Sequence, residues 1–272
     1  MAIITISRQL ASLGDEIGKQ IADNLGYKFF GKKELEKRIV SLGFPPEKLA
    51  KFDERKLGFL TGLTRIRDEY LNYLMTAILE AASENNCVIV GRGSFIILKD
   101  LENHISCRFI SDNKIRAERL QKSLECSLKI ALKKISESEI QQKSFHKDFF
   151  NFDLHNPEMF DFLINTSKIN AESIVDSVSA LTKSFVTKQR EEDGQKKIDS
   201  LLIGQRIVDI LIFIYNLNID YLRASIKNNK ITLHGIADSK KTVDAALTIV
   251  EAELPGFEIE SAITVGRNYR QA

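Results

Sequence analysis

The sequence predicts an α/β protein, a mostly parallel sheet with helices on both faces, followed by a small α+β unit. Two short apolar runs, at 3–6 and 87–90, have the composition of strands buried on both faces. Such runs alternate along the chain with segments of helical period, the pattern of parallel strands joined by helical crossovers. Near residue 220 the apolar period changes from helical to two, which marks a different kind of unit.

Ile3, Ile4 and Ile6 form the first strand, and after a short turn Ile17, Ile21 and Leu25 recur at helical spacing until Gly26 closes the helix. Residues 27–31 are too short to assign. A second helix covers 32–42 with Leu35 and Ile39 inward, and Gly43-Phe44-Pro45-Pro46 breaks it. Helical pattern resumes at 47–52 and again in a longer run up to 86, where Tyr70, Leu71, Leu74, Ile78 and Leu79 share a face; Gly58 and Gly62 are placed to bend or split it. The strand 87–90 ends at Gly91-Arg92-Gly93. A short helix around 95–99 separates it from a strand at 104–110. One helix is expected over 113–135, after which 136–157 is polar and aromatic with no clear period. A last strand at 160–164 and a closing helix at 170–188 complete the α/β part, domain 1–188.

The most charged run, 189–197, reads as a linker to a second domain, 198–272. Residues 198–217 are apolar and helical. Leu222, Ala224 and Ile226 then alternate with polar residues, Asn228-Asn229 turn the chain, and Ile231 and Leu233 resume the alternation. Ser239 caps a helix that carries Val243, Ala246, Leu247, Val250 and Leu254, and Ile259, Ile263 and Val265 lie on a final strand.

The 272 residues are comfortable for two domains, and 43% hydrophobic with 28% charged residues argues against wholesale disorder. Lys+Arg 39 against Asp+Glu 37 gives a net charge of +2, which points away from nucleic acid and anionic membrane surfaces. Cys87, Cys107 and Cys126 lack paired spacing, and His104, His146, His155 and His234 are scattered, so reduced thiols and no metal site are expected. No run approaches the ~18 apolar residues of a membrane span and no leader pattern opens the chain, so the expected location is the cytoplasm.

The first strand, turn and helix suggest a phosphate site, because a helix start there offers free N–H groups and the positive end of its dipole. Laid over G-x-x-x-x-G-K-[ST], residues 8–15 fit the architecture and lack its glycine and lysine chemistry. Arg8, Ser12, Gly14 and Asp15 are the candidates. Arg8 reaches a phosphate or pairs with Asp15 or Glu16. Ser12 and Asp15 are a remnant phosphate site or a Ser-x-x-Asp helix cap. Arg92, at a strand end, is placed to line a ligand crevice. Arg116 and Arg119 are ligand-binding or sit on a solvated helix face, and Asp53-Glu54-Arg55 meets a ligand or is a charged helix end. Phe145, Phe149, Phe150 and Phe152 read as lid or core packing, since basic residues do not interleave with them.

Five pieces in order, ITISRQLASLGDEIGKQIADNLG, KFDER, NCVIVGRGSFIIL, SCRFISDNKIRAERL and FDFLINTSKI, resemble the cytidylate-kinase-like proteins, a branch of the P-loop nucleoside monophosphate kinases. The tail KITLHGIADSKKTVDAALTIVEAELPGFEIESAITV resembles a BON domain, a module that binds lipids or small ligands. The resemblance implies a P-loop kinase-like sheet and transfer of the ATP γ-phosphoryl, with Mg²⁺, to a CMP-type acceptor. It places Arg92, Arg116 and Arg119 where relatives bind the monophosphate, Asn165 where they carry an aspartate that helps read base or sugar, and Asp53 near the acceptor. The donor loop departs from it. Where the branch reads SREYGSGGRE, this chain has Ala11 and Leu13 for glycines and Asp15 for arginine, and the lid segment 138–143 carries no arginine, only Lys143 with Lys147 nearby. A like charge at ~4 Å opposes a phosphate by ~4 kcal/mol in a surface-like dielectric before screening. The resulting expectation is a degenerate phosphate loop that binds a nucleotide or other small anion with weak or no kinase activity, ATP and Mg²⁺ being cofactors only if activity is retained. Two alternatives stand beside it. One is an active nucleoside monophosphate kinase. The other is a non-catalytic sensor or scaffold, with the kinase fold as a homodimerisation platform and a lipid or small ligand at the BON-like tail.

Overall fold

The computed structural model describes residues 2–49, 52, 64–154 and 156–266, so Asp53, Glu54, Arg55, Gly58 and Gly62 lie outside the described residues. The chain divides into two compact units, Met1–Gln195 and Lys196–Ala272.

In the first unit β1 (Ile3–Arg8), β2 (Lys28–Phe30), β3 (Cys87–Val90), β4 (His104–Ile110) and β5 (Phe162–Asn165) form an all-parallel sheet in the order β2-β3-β1-β4-β5. Helices α1 (Gly14–Leu25), α2 (Lys32–Ser41), α3 (Pro46–Leu49), α4 (Thr64–Ser83), α5 (Ser94–Ile97), α6 (Asn113–Leu124), α7 (Leu128–Phe150) and α8 (Ala171–Phe185) connect and cover it. Strand alternation divides the two faces of the sheet by chemistry. Ile4, Ile6, Val88, Val90, Ile105, Cys107 and Phe109 pack with Ile17 and Ile21 of α1 and Ile174 and Val178 of α8 in one apolar core. The alternate positions of β1 and β4 bury Thr5, Ser7, His104, Ser106 and Arg108, which satisfy one another and Asp161: Thr5 Oγ1 lies 2.7 Å from His104 Nε2, Arg108 donates to Ser7 Oγ at 2.8 Å, and Ser106 donates to Asp161.

Two expectations are corrected. The helix expected over 113–135 is two helices, because Glu125 turns left-handed (φ 48°) and Ser127 starts α7 by accepting the Ile130 N–H. The stretch 136–150, which shows no clear period, continues α7. Its first turns carry the polar residues of the site described below, while Phe145 and Phe149 join an aromatic cluster with Phe44, Phe52 and Tyr70, the last two stacked at 4.4 Å. The charged run 189–197 is helical, part of α9 (Lys188–Asp209), and the division between the units falls inside it.

In the second unit a π-helical turn, Ile210–Ile214, precedes β6 (Ile219–Lys227) and β7 (Lys230–Ala237), an antiparallel hairpin whose turn residues Asn228 and Asn229 are both left-handed. Ser239 Oγ accepts the Thr242 N–H to cap α10 (Lys240–Glu253), and β8 (Glu258–Val265) pairs parallel to β7. Leu222, Ile231, Leu233, Val243, Ala246 and Val250 form its core. Among the described residues no helix is long and apolar enough to cross a membrane.

Candidate functional site

The site lies at the carboxyl ends of β1 and β3, where an open parallel sheet leaves its crevice. Arg8 is the last residue of β1, and Ala11 (φ 60°) and Leu13 (φ 63°) are left-handed in the loop that follows. The first intrahelical bond runs from the Ile17 N–H to Leu13 O at 2.9 Å, so the N–H groups of Gly14, Asp15 and Glu16 open out of the helix start. Leu13 occupies the N-cap position without a side-chain bond, and Ser12 Oγ donates instead to Gln9 O at 2.8 Å. The capping role expected of Ser12 is therefore not the one it plays. Arg8 grips Asp15 with two bonds, Nε to Oδ2 at 3.1 Å and a terminal nitrogen to Oδ1 at 3.3 Å, at side-chain exposures of 18% and 56%. Gly14 makes this path open, since a Cβ there would lie 2.4 Å from the Arg8 Cβ.

Arg92 follows β3 in a left-handed turn with Gly91 and Gly93, and its buried guanidinium donates to Phe52 O at 3.0 Å and Glu36 Oε1 at 2.7 Å. Arg119 ties the loop to the end of β5: it donates to Ala11 O at 3.1 Å, Thr166 Oγ1 at 3.1 Å and Thr166 O at 2.7 Å. Burial pushes its pKa down and Glu16 pulls it back. Thr166 Oγ1 in turn donates to Ser12 O at 3.0 Å, so the loop backbone is anchored from two sides.

Arg8, Gly14, Asp15, Arg92 and Arg119 meet at one cavity of about 320 Å³, together with Lys32 of α2, Glu16, and Ser138, Gln141 and Gln142 of α7. Four cations and two carboxylates face it, with Arg8 paired to Asp15 and both Lys32 and Arg92 against Glu36. Ser12, Arg116 and Asn165 do not line it. Asn165 is turned to its own exit, its Oδ1 accepting the Ser167 N–H at 3.0 Å, and Arg116 is held by Asn113 and Glu139. Asp53 lies outside the described residues. Sequence reasoning passed over Lys32 and Glu36, whose i,i+4 spacing on α2 was the available signal, and Arg108, a lone cation in the apolar strand HISCRFI. Arg108 is buried against the Phe160 ring at 5.4 Å, and burial lowers its pKa to about 10.

The Ser12 hydroxyl is buried and turned to Gln9 O, and residues 8–15 carry no lysine.

Residues 3–168 match the sequence model of the cytidylate kinase-like family. The chain belongs to the cytidylate kinase-like family. A cytidylate kinase of Methanocaldococcus jannaschii is 32% identical over 104 residues, 38% of this chain and 58% of that enzyme. One of Pyrococcus horikoshii is 26% identical over 178 residues, 65% of this chain and 86% of that enzyme. A crystal structure of an uncharacterized protein from Eubacterium ventriosum shares the fold at a TM-score of 0.55 and 22% identity, covering 67% of this chain and 98% of that one.

Proposed function

We propose that this family member binds a nucleotide or another small phosphorylated anion in the cavity between Arg8, Lys32, Arg92 and Arg119, with weak or no phosphoryl transfer. The observation that carries it is the Arg8–Asp15 pair across the start of α1, which sets a carboxylate beside the N–H groups that a donor phosphate would need. CMP is the first acceptor to test, because the curated relatives are cytidylate kinases. ATP and Mg²⁺ enter only if transfer survives. One observation favours that second reading: Ala11 and Leu13 keep the left-handed backbone that glycines would adopt, so the loop retains its path.

Thermal shift with a panel of mono- and triphosphates tests the binding reading. A ligand at 100 Kd stabilises a fold by ~2.7 kcal/mol, and CMP is expected to raise Tm where ATP does not. No shift with any nucleotide sinks it. For the second unit, the hairpin, helix and parallel strand support the BON-like reading. Co-sedimentation of the whole chain with anionic vesicles tests its lipid arm, and protein left wholly in the supernatant sinks that arm.

A further inference from the structure

The sheet of the second unit runs β6-β7-β8, and its two edge strands differ. β6 is interrupted: its register against β7 shifts between Asp220 and Arg223, and Tyr221 there turns left-handed (φ 55°). Gly204 also brings α9 so close to β6 that a Cβ on it would lie 2.5 Å from Ala224 O. Bulges and covering helices keep an edge from pairing with another chain. Among the described residues β8 has neither. Its eight residues keep one unbroken register with β7 and contain no proline, lysine or arginine. Its only charges, Glu258 and Glu260, both pair with Lys230 of β7, at 3.3 and 2.6 Å.

The ladder fixes which backbone groups of β8 are spare. The N–H groups of Glu258 and Gly266 donate to Asn229 O and Ala237 O, each at 3.0 Å, so the even-numbered residues face β7. Ile259, Ser261, Ile263 and Val265 therefore turn their N–H and C=O groups outward. One of these is met within the strand, where the Ile263 N–H donates to Ser261 Oγ at 3.2 Å. Ile259 and Ile263, with Phe257, pack on the core but are only half-buried, and Val265 is 55% exposed. The helices thus leave room beside β8 on that face.

We propose that β8 pairs antiparallel with β8 of a second copy of this chain, about a two-fold axis at Ser261, joining two three-stranded sheets into one. In that register the edge is complementary to itself. On the core side Ile259 meets Ile263 and Phe257 meets Val265, each twice, which covers the exposed valine. On the open side Glu260 meets Ala262 and Glu258 meets Thr264, so no like charges are opposed. An axis at Ala262 would instead set Ser261 against Ile263, a poorer match. An eight-residue edge makes a small interface, below ~1,200 Å², so the dimer forms and separates with concentration. The pairing is independent of what the cavity of the first unit binds.

The test is sedimentation velocity of the whole chain over a concentration series, for the wild type, Ala262→Lys and Ala262→Glu. Ala262 is exposed on the open face, so neither substitution enters the core, and in the proposed register it faces Glu260 across the axis, twice per dimer. The wild type is expected to pass from monomer to dimer as concentration rises. Ala262→Lys is expected to lower the dissociation constant about tenfold and Ala262→Glu to raise it about tenfold, since two cross-strand charge pairs change together. A chain that stays monomeric at every concentration leaves the edge to a strand of some other protein and overturns the proposal. A dimer that both substitutions weaken, the signature of an axis at Ala262, overturns it too, as does a dimer that neither substitution moves. Should the variants fail to fold, wild-type amide exchange decides: protection at Ile259, Ser261 and Ile263 is expected to rise with concentration, and exchange independent of concentration at all three rules the pairing out.

Discussion

Two strand-to-helix junctions stand side by side at the carboxyl ends of β1 and β3, and each carries an arginine held by a carboxylate. They differ in what the arginine is free to do. At the β3 junction two glycines supply most of the left-handed turn, and Arg92 is buried against Glu36 and a main-chain carbonyl from Phe52, so it ties α2 to the end of β3. At the β1 junction Ala11 and Leu13 hold the same kind of backbone without glycine's freedom, and Arg8 and Asp15 form a half-exposed pair across the helix start. One junction spends its arginine on the fold. The other sets its arginine against a carboxylate across the start of α1.

The largest expected effect is at the buried junction. Arg92→Leu leaves Glu36 and the Phe52 carbonyl without their donor and should lower stability by about 3–5 kcal/mol, read by urea unfolding; a loss under ~1 kcal/mol would mean that the tie is not structural. The amino end of β4, beside β1, offers a control, since burial holds the His104 pKa at about 4 against an ordinary 6.5. The unfolded chain takes up that proton first as pH falls, so stability contributed by neutral His104 is present above about pH 6.5 and lost between pH 6.5 and 4, to roughly 3 kcal/mol in all. His104→Gln should flatten the dependence across that window; an unchanged slope contradicts a buried neutral ring.

Smaller effects probe the loop itself. Ala11→Gly relieves left-handed strain and should raise stability by up to about 1 kcal/mol. Leu13→Gly relieves the same strain but removes a side chain packed on the core, so its net change should be smaller or reversed. A destabilised Ala11→Gly would show that the loop is not strained. Asp15→Asn should change stability by less than ~1 kcal/mol, because the pair is solvated, while it improves ATP binding.

Much of this was legible in the sequence because burial writes itself as period. The runs 3–6 and 87–90 and the helix of Ile17 and Ile21 needed only local pattern, and Asn228-Asn229 needed only turn chemistry. The break at Glu125 was not legible, since a non-glycine residue turns left-handed there, nor was the helix through 136–150, where Ser138, Gln141 and Gln142 line the cavity, Phe145 and Phe149 are buried and Glu137, Ile140 and Lys143 are exposed, so that no single apolar stripe marks the period. The meeting of Arg8, Lys32, Arg92 and Arg119 depends on three-dimensional register, and sequence alone placed three of the four on the candidate list. Sequence also could not show that Arg92 and Arg116 are each engaged by a carboxylate of the chain itself.

On the proposed reading, binding outlives transfer at this site. A coupled assay with ATP, Mg²⁺ and CMP, run on the wild-type chain beside Asp15→Gly, tests it most directly. The account predicts turnover far below the 1–100 s⁻¹ usual for kinases in the wild type, with a gain when Asp15 is removed. Wild-type turnover within that range, or no change on removing Asp15, would contradict it.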